Sequence, residues 1–256
     1  MRPVPRRLSH GEEATLVEHL DELRQRLFIM LGAILVGVIV AFVFHGHILH
    51  WLNAPLPKWI DKPLTLSVSE PFMTSLWVSV YAGVLLAMPV ILWQIWAFFV
   101  PAMEDQHSRT LAWYTLLAAI LLAGGIFFGY FVALPAAVHF LTNYDHAYFN
   151  VQLRAKDYYA FTTMVMVAMA IVFEIPIFVL GAVRMGIIST NTLRKNRKIG
   201  YFVVAIIGVL LPGVDPITTT IETIPLIILY ELTIWLCVLT DRRAARHAEV
   251  ASIGES

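Results

Sequence analysis

The chain has 256 residues, 59% of them apolar and only 14% charged, where a soluble domain typically carries about half and a quarter. With a strongly positive mean hydropathy, that balance excludes an ordinary soluble domain. Formal net charge is zero, so bulk charge argues for neither nucleic acid nor an acidic partner, and only the placement of charges is informative.

A bilayer core is roughly 30 Å thick and asks for about 20 apolar residues in helix. Six stretches meet or approach that length: 27–44, 71–100, 110–134, 160–183, 199–211 and 218–239. Polar segments rich in Pro, Asp, Asn, Lys and Arg separate them and mark loops. The runs are too long for barrel strands and do not alternate, so helices are the spanning form. The predicted architecture is one transmembrane domain over 1–256, all-α, with 1–26 an amphipathic cytoplasmic helix and 240–256 a cytoplasmic tail. The first long apolar run begins at Leu27 and no small-residue cleavage site follows it, so no cleavable leader is expected. Arg6 and Arg7 are adjacent but lack a following hydrophobic stretch, and read as cytoplasmic charges.

Lys and Arg accumulate on the cytoplasmic side. With the N-terminus inside, the inner segments carry Arg2, Arg6, Arg7, Arg24 and Arg26, then Arg109, then Arg184, Arg194, Lys195, Arg197 and Lys198, then Arg242, Arg243 and Arg246. The outer loops carry Lys58, Lys62, Arg154 and Lys156, fourteen against four, which predicts both termini inside.

Residues 71–100 would make about 45 Å of helix, so this segment must tilt, kink at Pro89 or protrude. The run 199–211 gives only about 20 Å before Pro212-Gly213. The sixth stretch is interrupted by Glu222 and Pro225. Short fifth and sixth helices are therefore expected, which thin the lipid or draw water inward unless neighbouring subunits cover the mismatch. The outer loops 45–70 and 135–159 are long enough to cap the outer mouth. Their Trp51, Trp59, Tyr144, Tyr148, Tyr158 and Tyr159 read as interfacial anchors.

Ahead of the first span, Leu16, Leu20, Leu23 and Leu27 recur at helical spacing, with Glu18 and Glu22 one turn apart on the other face. Either this is a solvated face carrying a Glu22–Arg26 pair, worth a few tenths of a kcal/mol, or it is an acidic docking surface.

The stretch His19-Leu20-Asp21-Glu22-Leu23-Arg24-Gln25-Arg26-Leu27 resembles the signature that the TatC family, the signal-peptide receptor of the twin-arginine protein translocase, carries before its first membrane helix. Further matches follow in order. They are Ala54-Pro55-Leu56, Pro89-Val90-Ile91-Leu92-Trp93-Gln94-Ile95-Trp96-Ala97-Phe98, Phe173-Glu174-Ile175-Pro176, Met185-Gly186-Ile187 with Leu193-Arg194-Lys195, and Asp215. The resemblance covers roughly 15–240. It implies a receptor and docking core, without catalysis or cofactor, that exports folded proteins across the bacterial cytoplasmic membrane on the proton motive force. It also implies TatA- and TatB-like single-span partners along the fifth and sixth helices, and self-association.

The implied site residues are Glu22, Arg24 and Phe98, with the loop between the second and third spans. A guanidinium is planar, always charged and forks onto carboxylate, so paired arginines ask for exposed acidic groups. In the loop this chain departs from the family: His107 stands where a second glutamate is expected. Glu104 or Asp105 is the candidate replacement, the alternative being that both merely solvate the loop.

Within the membrane, Gln94, Glu174 and Glu231 are the polar groups of interest, with Glu222 near the start of the sixth span. A central carboxylate costs on the order of 2.5–3.5 kcal/mol. Glu174 is therefore expected on a concave, hydrated face, and Glu231 either there or paired within an oligomer. Pro55 and Asp215 read as outer-face structural residues, Asp215 as interfacial more than buried. Lone Cys237 reads as a small hydrophobe.

Enzyme motifs are absent: no zinc His pair, no nucleophile elbow, no phosphate-cradling loop. His45, His47 and His50 make no metal geometry by spacing alone. The competing function is a six-helix ion-coupled small-solute transporter using Glu174 at the midplane; the inverted repeat that would support it is not visible.

Overall fold

The computed structural model describes residues 16–60, 62–99, 108–145, 147–149, 151–213 and 215–254. Helix dominates: α1 Leu16–Val43, α2 His45–Asn53, α3 Glu70–Phe99, α4 Ser108–Phe128, a π-helical turn Gly129–Ala133, α5 Leu134–Asn143, α6 Ala155–Val172, α7 Ile175–Arg184, α8 Thr190–Lys195, α9 Arg197–Leu210 and α10 Pro216–Gly254. Among the described residues the only strand-like pairing is an isolated parallel bridge between Leu64 and Arg154. Among the described residues, five segments are long and apolar enough to cross a bilayer: Leu20–Val43, Glu70–Phe99, Leu111–Asn143, Ala155–Arg184 and Pro216–Asp241. α9 has 14 residues, about 21 Å of helix.

Several boundaries move, each for a local reason. The third span runs to Asn143, not 134. The π turn Gly129–Ala133 leads into α5, where Pro135 sits in the first turn and its missing N–H is tolerated. The 135–159 loop is thus helical at its start. The fourth span begins at Ala155 and breaks at Phe173–Glu174, ahead of Pro176 at the first turn of α7. α7 closes on Gly186 at φ 73°, a left-handed position that glycine takes without strain.

The sixth helix is not short and not interrupted. α10 spans 39 residues, Pro225 lies inside it, and 240–254, expected as a tail, continues the helix. Pro225 withdraws one backbone donor without ending the helix, and Glu222 is fully buried, its Oε2 close to Gly213.

α1 lies along α3, which packs on α6 and α4, while α10 packs on α9 and α7. The α1–α3 approach is backbone to backbone: a Cβ on Gly83 would lie 2.6 Å from the Val38 Cα. Trp96 of α3 is 1% exposed and stacks at 4.8 Å on Tyr114 of α4 and 5.5 Å on Phe178 of α7. One aromatic cluster thus joins three helices.

The two loops 45–70 and 135–159 are tied to each other, and this tied pair is the cap. Leu64 N donates to Leu153 O and Ala155 N to Leu64 O, both at 2.7 Å. Tyr158 Oη donates to Leu52 O at 2.6 Å and Tyr159 Oη to Asn53 Oδ1 at 2.8 Å. Trp51, Trp59, Tyr144 and Tyr148 are exposed, as anchors should be, but Tyr158 and Tyr159 are buried. These two are therefore fasteners of the cap, because each hydroxyl reaches a cap acceptor. Replacing Tyr158 with Phe strands the buried Leu52 carbonyl. The expected cost is about 1–3 kcal/mol, read as a fall of several degrees in the unfolding temperature of detergent-solubilised protein. Unchanged stability would mean that other contacts hold the cap.

Candidate functional site

At the N-terminal end of α1 the helix is continuous from Leu16 into the apolar run, so its polar face reaches the end of α3 as one rigid element. Glu22 and Arg26 sit one turn apart on that face. Arg26 Nε and Nη2 donate to Glu22 Oε1 at 3.0 and 2.5 Å. The same guanidinium gives Nη1 to Gln94 Oε1 and Nη2 to the Ala97 carbonyl, both at 3.1 Å. Ala97 lies in the last turn of α3, where carbonyls lack intrahelical partners, which is why one is available to Arg26. The side chains are 44% exposed for Glu22 and 20% for Arg26. Glu22 is thus held facing outward, and among the described residues its Oε2 accepts no hydrogen bond.

Of the predicted set, Glu22, Gln94 and the C-terminal turn of α3 come together. Phe98 follows directly on Ala97, half-buried and edge-on to Phe99 at 5.5 Å. Arg24 does not join them: two residues along a helix is over half a turn, and its guanidinium lies 5.7 Å over the Phe28 ring. Leu20, Leu23 and Leu27 are exposed. Glu104, Asp105 and His107 lie outside the described residues. The tie from Arg26 to α3 escapes sequence reasoning, since only the i,i+4 half of it is visible along the chain.

The interior carboxylates differ from one another. Glu174 is 1% exposed, and neither oxygen has a hydrogen-bond partner among the described residues. This corrects the expectation of a hydrated face: the residue lies at the α6–α7 break and is enclosed by the protein. Glu231 has partners within the chain, accepting from Tyr201 Oη and pairing with Arg197 Nη2 at 3.5 Å. The α9–α10 crossing supplies them without an oligomer. Asp215 is buried, 4% exposed, because it caps α10: its Oδ1 accepts the Thr218 N–H at 2.7 Å. Pro55 is half-buried in the turn after α2.

At the N-terminal end of α3, Glu70 is 5% exposed. It accepts from Arg154 Nε at 2.9 Å and Nη2 at 3.2 Å, and from Leu66 N at 2.9 Å. The carboxylate raises the Arg154 pKa further. This pair binds the cap to α3 and α6, and its partners, 84 positions apart, carry no signal in sequence. It rims a cavity of about 480 Å³ lined by Thr74, Trp77, Tyr81 and Lys156. A second, apolar cavity of about 450 Å³ is lined by Val40, Phe44, Leu52, Leu86 and Met166. Among the described residues no group of three or more His, Cys, Asp or Glu converges. What the first site offers chemically is an outward carboxylate beside acceptors already fitted to a guanidinium.

Known proteins match both sequence and fold. The family model described as Sec-independent protein translocase protein (TatC) covers residues 18–225. A TatC from Carboxydothermus hydrogenoformans is 33% identical over 87% of this chain and 92% of its own length. TatCd from Bacillus subtilis is 31% identical over 94% and 98%. A crystal structure of a twin-arginine translocase receptor, TatC, superposes with TM-score 0.75 at 34% identity, covering 87% of this chain and 99% of that one. With its multi-pass helical membrane architecture, this chain belongs to the TatC family of Sec-independent protein translocase proteins, components of a translocase and not enzymes.

Proposed function

We propose that this chain is the twin-arginine signal-peptide receptor of its translocase, with Glu22 as the principal carboxylate for the peptide's arginines. One observation carries this reading: Arg26, anchored on Gln94 and the Ala97 carbonyl, holds Glu22 half-exposed with one oxygen uncommitted. Glu104 or Asp105, in the loop between the second and third spans where His107 replaces the family glutamate, supplies the second acidic contact. Arg24 and Phe98 flank the site. The match to a protein described as a twin-arginine translocase receptor supports the assignment.

The topology proposed with it has six spans and both termini in the cytoplasm, α9 being the short fifth, in one transmembrane domain of the bacterial cytoplasmic membrane. The Lys and Arg asymmetry supports that orientation. TatA- and TatB-like single-span proteins dock along α9 and α10, the chain self-associates, and transport draws on the proton motive force. Pro55 shapes the outer turn, and the buried carboxylate of Glu174 serves the interior of the bundle.

The test is binding of a synthetic signal peptide to detergent-purified protein, comparing Arg-Arg with Lys-Lys. Lysine is a point charge without the planar fork, so Arg-Arg is expected to bind roughly tenfold or more tightly, one charged hydrogen bond being worth about 1.5–3 kcal/mol. Equal binding by folded protein would refute the receptor reading.

A further inference from the structure

The cavity beside Glu70 and Arg154 follows the seam between α3 and α6, and its lining changes character along that seam. Ser67, Ser69, Arg154 and Lys156 stand at the Glu70 end, and Met73, Trp77 and Val78 follow along α3. The second cavity continues past Tyr81 and Thr163, which line both, to Ala82, Leu85 and Met166. From Glu70 to Leu85 is about 22 Å along the helix axis, polar at one end and apolar over the rest. One leaflet contributes about 15 Å of hydrocarbon, so the seam is long enough to follow a lipid from its headgroup to the end of its chain.

The polar end carries one uncompensated positive charge. Glu70 is fully engaged within the protein: its oxygens accept from Arg154 Nε and Nη2 and from the backbone N–H groups of Leu66 and Lys156. Arg154 is thereby neutralised, yet its Nη1 donates to nothing among the described residues. The Lys156 ammonium is exposed and in no ion pair among them, and neighbouring Asp157 does not line the cavity. One turn along α3, Thr74 is 9% exposed and its Oγ1 has no hydrogen-bond partner among the described residues. Ser75 and Ser79 on the same helix return their hydroxyls to the carbonyl four residues back, as helical Ser and Thr can; Thr74 does not. Buried polar groups are ordinarily paired, so this hydroxyl calls for a polar group on the occupant at that depth.

A helix, about 10–12 Å across with its side chains, would fill either cavity within about one turn. A small anion would use the basic end alone and leave the apolar walls uncovered. An anionic phospholipid matches the whole seam: a negative headgroup at Lys156 and Arg154 Nη1, ester oxygens at the level of Thr74, and an acyl chain along Trp77, Tyr81 and Leu85. Trp77 is 60% exposed at the lip, where an aromatic ring suits the boundary between headgroup and chain. We propose that the α3–α6 seam is a binding site for one anionic phospholipid, taken from the leaflet on the cap side. The site depends on the membrane architecture of the chain and not on its recognition of a peptide.

The experiment is native mass spectrometry of the delipidated full chain in neutral detergent, titrated with phosphatidylglycerol or with phosphatidylcholine of the same chains. Wild type is expected to retain one phosphatidylglycerol, roughly fivefold more tightly than phosphatidylcholine, the factor that one basic residue near a lipid surface supplies. Its unfolding temperature should rise with phosphatidylglycerol concentration. Lys156→Gln should bring the two lipids near parity; its backbone N–H, which serves Glu70, is untouched. Lys58→Gln, an exposed lysine outside the seam, should keep the preference. Ala82→Phe, which fills the apolar end, should weaken both lipids, and where it fails to fold the two lysine variants decide. Equal affinities in wild type would overturn the proposal, and so would equal losses in Lys156→Gln and Lys58→Gln, which would reduce the preference to surface attraction. A rise in unfolding temperature with glycerol 3-phosphate equal to that with phosphatidylglycerol would overturn it in favour of a soluble anion. One-for-one displacement of the lipid by a signal peptide would overturn it by giving the seam to the peptide.

Discussion

Replacing Gly83 with leucine is expected to abolish accumulation of folded protein, while leucine at Gly32 is expected to be tolerated. Both glycines lie inside long helices, where glycine costs roughly 1 kcal/mol against alanine. At Gly32 a Cβ would meet nothing within 4 Å, so the substitution adds helix propensity on an open face. At Gly83 a Cβ would meet Val38 N at 2.5 Å and Val38 Cα at 2.6 Å, and one on Gly37 would strike the Gly83 carbonyl oxygen. These are backbone atoms, which cannot rotate aside as a side chain does. Even Gly83→Ala must therefore lever α1 off α3, at more than the usual 1–3 kcal/mol of overpacking. Close helix approach through small residues is how membrane helices gain packing where lipid is as apolar as leucine. Membrane-fraction immunoblots and size-exclusion profiles would check the pair. Monodisperse Gly83→Leu at wild-type levels would show that the α1–α3 contact is dispensable.

Glu22→Ala is the second large effect, this one on binding. Arg26 stays anchored through Gln94 and Ala97 O, so the α1–α3 corner keeps its shape while the acceptor for the incoming guanidinium disappears. Affinity for an Arg-Arg signal peptide is expected to fall roughly ten- to a hundredfold, the equivalent of one charged hydrogen bond of about 1.5–3 kcal/mol. Affinity for the Lys-Lys peptide should change little, so discrimination collapses with the carboxylate. Fluorescence anisotropy with labelled peptides reads both numbers. If discrimination survives in folded Glu22→Ala, the principal contact moves to Glu104 and Asp105, and Glu104→Gln with Asp105→Asn becomes the deciding variant.

The cap and the Glu22–Arg26 corner sit at opposite ends of α3, Glu70 and Ala97 being separated by nearly its whole length of 30 residues. Both are joined to it by an arginine from elsewhere in the chain, Arg154 through the Glu70 carboxylate and Arg26 through Gln94 Oε1 and the Ala97 carbonyl. α3 is therefore the element through which the loop cap and the Glu22–Arg26 corner are held in one frame.

Sequence by itself determined the class of solvent, the helical form, the approximate spans and the resemblance that named the family. These depend on local quantities: run length, periodicity and contiguous motifs. It also singled out Glu22 and Gln94, because both lie within such motifs. Only the tertiary structure decided which of the marked groups meet. Arg24 and Arg26 are equivalent as letters, yet helix geometry turns one onto Phe28 and the other onto Glu22 and α3. Glu174 and Asp215, read as hydrated and interfacial, are buried, since burial depends on neighbours supplied by remote segments. Tyr158 and Tyr159 share the composition of interfacial anchors but fasten the cap, because their hydroxyls find acceptors 106 residues away. The sixth helix passes through Glu222 and Pro225, with Glu222 buried close to Gly213 of the preceding turn, a neighbour that helix periodicity along the chain does not reveal.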